Sequence, residues 1–175
     1  NDKNVVGKNF DIYDSLANII LWYKYSRNED DILFRDISRF INDNQFYPNL
    51  SKLKANAEEI AKQRDIPFSI SEQYFTQNTP ARLEPRLFFL NSKIKYLSTL
   101  SKSDSSYQKI KNEISKEISN IWIDENFSEN REFEFLDKYK VHISKFDHIN
   151  RIDRLLWDGK IVDAQRIMDF VDEDY

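Results

Sequence analysis

Along this 175-residue chain, apolar side chains recur every three to four positions, the period of helices that bury one face. The pattern predicts about nine helices. The first covers 9–27 and turns Phe10, Tyr13, Leu16, Ile20 and Tyr23 to one face. The second covers 31–44, with Ile32, Leu33, Ile37, Phe40 and Ile41. The third opens at Pro48, since a first-turn N–H has no partner to lose, and points Leu50, Leu53, Ala57, Ile60 and Ala61 inward. A short fourth helix follows Pro67; Ser69 and Glu72 have the spacing of a capping box, and Tyr74 and Phe75 face in. Pro80 and Pro85 punctuate the next turn.

The fifth helix spans 84–100, with Leu87, Phe88, Leu90, Ile94 and Leu97, and the Ser-rich stretch 101–106 reads as a loose loop. The sixth covers 106–123 (Ile110, Ile114, Ile118, Ile121, Trp122) and the seventh 129–140 (Phe133, Leu136, Tyr139). The eighth starts after Ser144, with Asp147 as its capping partner, and is lined by Phe146, Ile149, Ile152, Leu155 and Leu156. Gly159 ends it, and the ninth, 160–172, buries Ile161, Ala164, Ile167, Met168 and Val171.

None of these helices is apolar all round, so each must lie against neighbours. Antiparallel pairs stacked in series achieve that, with units of roughly 30–45 residues. Ile-Ile-Leu-Trp at 19–22 echoes Arg-Leu-Leu-Trp at 154–157, a degenerate repeat without a consensus. The expected fold is all-α, an α-superhelix or solenoid forming a single domain over 1–175, with a closed helical bundle as the alternative.

Composition sharpens this. Two glycines and four prolines leave almost no material for tight hairpins or for a phosphate-cradling loop. Large rings, 14% of the chain, fill the core. The net charge of −4, with both signs interspersed, gives no basic stripe for nucleic acid. The absence of cysteine rules out disulfides and thiolate metal sites, and fits cytoplasm or periplasm alike. The longest apolar run is Ile19 to Tyr23, far below the ~18 residues of a membrane span, and no signal-peptide pattern occurs. A start at Asn1 rather than Met reads as a trimmed or mature product.

Candidate chemistry is sparse. His142 and His148 are the only histidines; six residues apart, they do not share a helix face, and no third metal ligand presents itself. Ser144, Asp147 and His148 contain the residue types of a hydrolase, yet the first two are better read as a helix cap. Acidic pairs at Asp30-Asp31 and Glu58-Glu59, and the run Asp172-Glu173-Asp174, point about 100° apart on a helix and read as solvated faces. Lys109, Lys111, Glu113, Lys116 and Glu117 alternate in sign as an exposed helix does. Arg151, Asp153 and Arg154 sit beside an apolar stripe; Asp147–Arg151 and Arg154–Asp158 have i,i+4 spacing, as in an ion-pair network clamping this helix to its neighbours. Trp22, Trp122 and Trp157, each near a helix end amid apolar residues, read as core rather than as a carbohydrate platform. No catalytic, cofactor-binding or metal-binding residue is nominated.

In the C-terminal third, Ser119-Asn120-Ile121-Trp122, Glu132 to Leu136, Asp147 to Lys160 (DHINRIDRLLWDGK) and Ala164 to Met168 (AQRIM) resemble the soluble lytic murein transglycosylases, whose superhelical domain carries a His-x-x-Arg-x-Asp-x-Leu-Leu-Trp segment followed by Ala-x-Arg. Phe40-Ile41, Tyr47-Pro48, Leu53, Ala57-Glu58 and Tyr74-Phe75 are similar to that family's helical repeats more loosely. The resemblance implies the superhelical domain, bent into a U or ring, of a periplasmic enzyme that cleaves the MurNAc–GlcNAc β-1,4 bond of peptidoglycan and leaves 1,6-anhydro ends. The family's catalytic glutamate lies in a separate lysozyme-like domain. Its Glu-Ser pair and Gly-Leu-Met-Gln stretch do not occur here, so no catalytic residue carries over. The implied role is a non-catalytic scaffold, part of a longer chain whose signal peptide is removed or omitted. Its implied partners are glycan strands and the catalytic domain of the same parent, with no cofactor, nucleic acid or membrane span. The alternative is an unrelated helical-repeat protein-interaction module of the TPR kind; a free-standing helical enzyme is the third hypothesis.

Overall fold

The structure, a computed structural model, describes residues 12–27, 29 and 31–171, and only the backbone of residues 12–14. Among the described residues it is all helix, with no strand. The chain divides into two compact units, 1–80 and 81–175. No described helix is long and apolar enough to cross a membrane.

The first unit holds α1 (Ile12–Arg27), α2 (Phe34–Asp43), α3 (Leu50–Gln63) and α4 (Phe68–Gln77). α2 and α3 pack as a pair, and α1 lies against both. Its core is aromatic. Tyr25 meets Phe40 edge-on at 5.4 Å, and Phe40 meets Tyr47 at the same distance. Phe34 meets Tyr74 edge-on at 5.4 Å and stacks on Phe75 at 6.2 Å. Ile37, Ile41, Leu53 and Ala57 are buried among these rings. Offset and edge-on contacts of this kind add about 0.5–1.5 kcal/mol each beyond area burial.

The helix starts differ from expectation. α3 begins at Leu50, because Asn49 takes the left-handed conformation (φ 54°) and Pro48 stays in the preceding turn. Ser69 and Glu72 form no capping box. α4 does follow Pro67, at Phe68, whose ring is buried; Pro67 rather than Ser69 is the N-cap, and its carbonyl accepts from the backbone N–H of Ile70 and Ser71. The end of α3 was not foreseen: Asp65 is left-handed (φ 45°) and Ile66 N–H donates to Ala61 O at 2.9 Å, the Schellman closure.

α1 is the main correction here. Leu16 and Ile20, expected inside, are 54% and 59% exposed, and Tyr23 is exposed too. The helix carries apolar residues on several sides (Leu16, Ile19, Ile20, Leu21, Trp22), so its period fixes the helix but not the buried side. Its anchors lie in the last two turns. Tyr25 is buried, Asn56 Nδ2 donates to Tyr25 O at 2.7 Å, and Trp22 Nε1 donates to Pro48 O at 2.8 Å. Leu33 is likewise exposed, while its neighbour Phe34 is buried. Phe10 lies outside the described residues, as does the side chain of Tyr13.

The second unit holds α5 (Leu83–Leu97), α6 (Tyr107–Asp124), α7 (Glu129–Tyr139), a 3₁₀ turn (Lys140–His142), α8 (Lys145–Trp157) and α9 (Ile161–Met168). α6 is central: α5 and α8 both pack on it, and α8 pairs with α9. Ile110, Ile114, Ile118, Ile121 and Trp122 are buried as the period requires. Pro85 sits inside the first turn of α5 and is buried. Stretch 101–106 is a run of turns closed by its own bonds, with Asp104 accepting from Ser106 N–H at 2.8 Å and from its hydroxyl at 2.6 Å.

On α7 the buried face is Glu132, Phe135 and Tyr139, with Phe133 73% exposed, a correction of the expected Phe133 face. Glu132 was not counted among the inward-facing residues of this helix. Once Glu132 points in, the helical period carries Phe135 and Tyr139 with it. Phe146, Leu156, Ile161 and Met168 are also exposed against expectation. Gly159 does end α8 in the left-handed region (φ 71°), and Lys160 N–H donates to Leu155 O at 2.8 Å.

Candidate functional site

The residues that carry the sequence resemblance converge on the C-terminal end of α6. A helix ends with four carbonyls that have no partner within it. Here two arginines from α8 supply donors. Arg151 Nη1 donates to the carbonyls of Trp122 and Glu125. Arg154 donates through Nε to Ile123 O at 2.8 Å and through Nη2 to Glu125 O at 3.2 Å. Two positive charges at this end also suit the helix dipole.

Arg151 has no exposed surface, and its charge is matched by Glu132 of α7 at 3.0 Å. The other carboxylate oxygen of Glu132 takes Arg166 of α9 at 3.1 Å, and Arg166 pairs with Asp163 at 2.8 Å. Burial pulls the Arg151 pKa below its ordinary value, and the bond to Glu132 works in the opposite direction. The guanidinium lies 4.4 Å from the Trp122 ring centre and 5.0 Å from that of Phe127, so π faces take part of the place of water. Trp122 stacks on Phe127 and Phe135 at 6.1 and 6.0 Å.

Asp147 closes the other end of α8. The capping box forms as expected: Ser144 Oγ accepts from Asp147 N–H, and the Asp147 carboxylate accepts from Ser144 N–H and O–H at 2.7 Å. Its second oxygen takes the Ser119 hydroxyl of α6, which the sequence reading missed. Burial pushes the Asp147 pKa up, and the bonds from Ser119 and Ser144 outweigh it, so the net shift is downward. The expected Asp147–Arg151 pair is not formed. Arg154–Asp158 is, at 2.9 Å.

The imagined hydrolase group does not assemble. Ser144 Oγ is committed to Asp147, while His148 packs edge-on to Trp122 at 5.4 Å and stacks on Phe170 at 5.1 Å. Burial, with Arg151 nearby, holds the His148 pKa below its ordinary value against the pull of Asp147. His142 instead meets Ser115 Oγ at 3.2 Å. Among the described residues no three His, Asp or Glu side chains are grouped to hold a metal ion.

Of the three tryptophans, Trp122 is core, Trp22 is half-buried, and Trp157, expected as core, is 91% exposed. The alternating charges of α6 are not merely solvated: Glu113 pairs with Lys93 at 3.0 Å, and Glu117 with Arg86 at 3.0 Å, joining α5 to α6. Of the acidic pairs, Asp31 binds Lys24 at 2.6 Å, Glu59 binds Lys62 at 3.2 Å, and Glu58 is buried. Asp30 and Asp172-Glu173-Asp174 lie outside the described residues.

The first unit carries a different feature, a groove of about 530 Å³ between α2 and α4. α2 lines it with Arg35, Ser38, Arg39, Asn42 and Asp43, and α4 with Ile70, Gln73 and Gln77, over a floor of Phe34 and Tyr74. No sequence motif announced it. Its signal is the polar face that each amphipathic helix turns from the core. The chain gives no significant match to any family model, curated protein or solved structure.

Proposed function

We propose that this chain is the non-catalytic helical scaffold of a soluble lytic murein transglycosylase, holding peptidoglycan strands or the parent's lysozyme-like domain in the periplasm. One observation supports the reading above others. Trp122, Glu132, Asp147, His148, Arg151, Arg154 and Arg166, which carry the resemblance, are joined in one interlocked cluster. Its carboxylates and guanidiniums are spent on one another and on the α6 carbonyls, and the nitrogens left without a partner (Trp122 Nε1, His148 Nδ1 and Arg151 Nε) are buried, so the cluster sets a shape rather than facing a substrate. The motif therefore reads as architectural, as a scaffold requires.

The test uses purified sacculi and a separately expressed lysozyme-like domain of this family. The expected result is that the chain pellets with sacculi or co-elutes with that domain, and releases no anhydro-muropeptides alone. Failure both to pellet and to co-elute would defeat the proposal, and muropeptide release by the chain alone would replace it with an enzyme. A second reading, a helical-repeat protein-interaction module unrelated to peptidoglycan, is favoured by the exposed apolar residues Leu16, Ile19 and Ile20 of α1.

A further inference from the structure

We propose that the groove between α2 and α4 binds a short extended peptide segment bearing a carboxylate. This inference does not depend on the scaffold reading above.

The groove is built before any ligand arrives. Its two walls are fixed to each other at two points: Phe34 against Tyr74 and Phe75, and Asn78 Nδ2 donating to Asn42 Oδ1 at 3.1 Å. Walls held in this way lose little entropy on binding. Between the two points the facing polar groups do not satisfy one another. Arg39 and Asp43, one turn apart on α2, have the spacing of an i,i+4 ion pair. Neither forms an ion pair with any described residue. The side-chain amides of Gln73 and Gln77, on the opposite wall, have no described hydrogen-bond partner either. By contrast, Arg35 is occupied by Asp36 at 3.0 Å and Ser38 by the Arg35 carbonyl at 3.0 Å.

Those four groups, without a partner among the described residues, select a class of ligand. A primary amide offers donors and an acceptor together, matching the C=O and N–H of a peptide group. Gln73 and Gln77 are four residues apart, about 6 Å of helix rise. Alternate residues of an extended chain repeat at about 6.8 Å, so two glutamines reach equivalent peptide groups. Arg39, a planar cation with forked donors, takes the carboxylate. Asp43 accepts a backbone N–H or an ammonium one turn away. Ile70, 60% exposed, seats an apolar side chain at the rim.

Other ligand classes fit less well. A sugar ring stacks on an open aromatic face, and Phe34 and Tyr74 are only 4% and 3% exposed. A phosphate or polyanion takes several cations, and this groove offers one arginine without a described partner.

The experiment is fluorescence anisotropy on the full 175-residue chain. The probes are a fluorescein-labelled library of capped hexapeptides with one fixed Glu, and the same library with Gln in its place. The Glu library is expected to bind saturably and the Gln library about tenfold or more weakly, the loss of one charge-assisted contact. Arg39→Gln erases that difference, Arg39→Lys keeps most of it, and Gln73→Leu with Gln77→Leu weakens both libraries. Lys102→Gln, in the other unit, changes nothing. Circular dichroism melts confirm that each variant folds; should Arg39→Gln unfold, 0.5 M salt, which screens the arginine, must shrink the Glu preference in the wild-type chain. The proposal falls if neither library saturates, if both bind equally, if the Glu preference survives Arg39→Gln, or if N-acetylglucosamine oligomers displace the peptides.

Discussion

The two units solve the same packing problem by different means. The first closes its core with rings meeting edge to face, Tyr25, Phe40 and Tyr47 on one side and Phe34, Tyr74 and Phe75 on the other. The second also stacks rings around Trp122, but threads a buried arginine and its carboxylate through them and fastens both to backbone carbonyls. Ring packing tolerates exchange, since many apolar combinations of the right volume fill such a core. A guanidinium that must meet two carbonyls, a carboxylate and an indole tolerates almost none.

That contrast can be broken by experiment. The largest effect is expected from Arg151→Met, which leaves the buried Glu132 with Arg166 alone and takes the side-chain donor from the Trp122 carbonyl, at a cost of about 3–5 kcal/mol. Guanidinium chloride unfolding in a Trp157→Phe background checks it, with Trp122 reporting the second unit and Trp22 the first; a shift at Trp22 as large as that at Trp122 would refute the assignment. Phe75→Ala, in the first unit, is expected to cost about 3 kcal/mol by opening a cavity, while Phe75→Leu costs much less.

Titration separates the units next. The folded state holds His148 below its ordinary value of 6.5, so the unfolded chain binds the proton first. Stability is therefore present above pH 6.5 and is lost as the pH falls through the lower folded value. Asp147, depressed below 3.8, continues the loss at more acidic pH. Tyr74 has the opposite sign: burial, with Glu58 nearby, raises its pKa, so its contribution is present below pH 10 and is lost as the pH climbs through the folded value. Acid should melt the second unit earlier and alkali the first, with His148→Gln and Tyr74→Phe flattening the respective limbs of a melting-temperature profile. Ser144→Ala should cost about 1 kcal/mol in a thermal melt, as the loss of a cap does. Phe133→Ala should cost under about 0.5 kcal/mol, although the ring was expected in the core.

Helix positions were largely legible, because a 3.6-residue period and the Ser144 and Gly159 signals are local. The buried faces of α2, α3 and α6 followed from that period. What failed needed knowledge of a partner. Glu132 is inside only because Arg151, nineteen residues away, is there to meet it. The side of α1 that is buried depends on Asn56 and Pro48. Asp147 was read correctly as a cap and incompletely as a tether, since nothing near it names Ser119. The α2–α4 groove was invisible because Arg39 and Gln73 look like any solvated residues until two walls face each other.

The finishing of α6 by α8 has a consequence for synthesis. The donors that complete the last turn of α6 lie 26 to 31 residues further along the chain. A nascent polypeptide that has emerged only through α7 possesses every apolar residue of α6 but leaves that turn frayed. A product truncated before Arg151 and Arg154 lacks the donors for that turn, and is expected to be cut by protease there faster than the full chain.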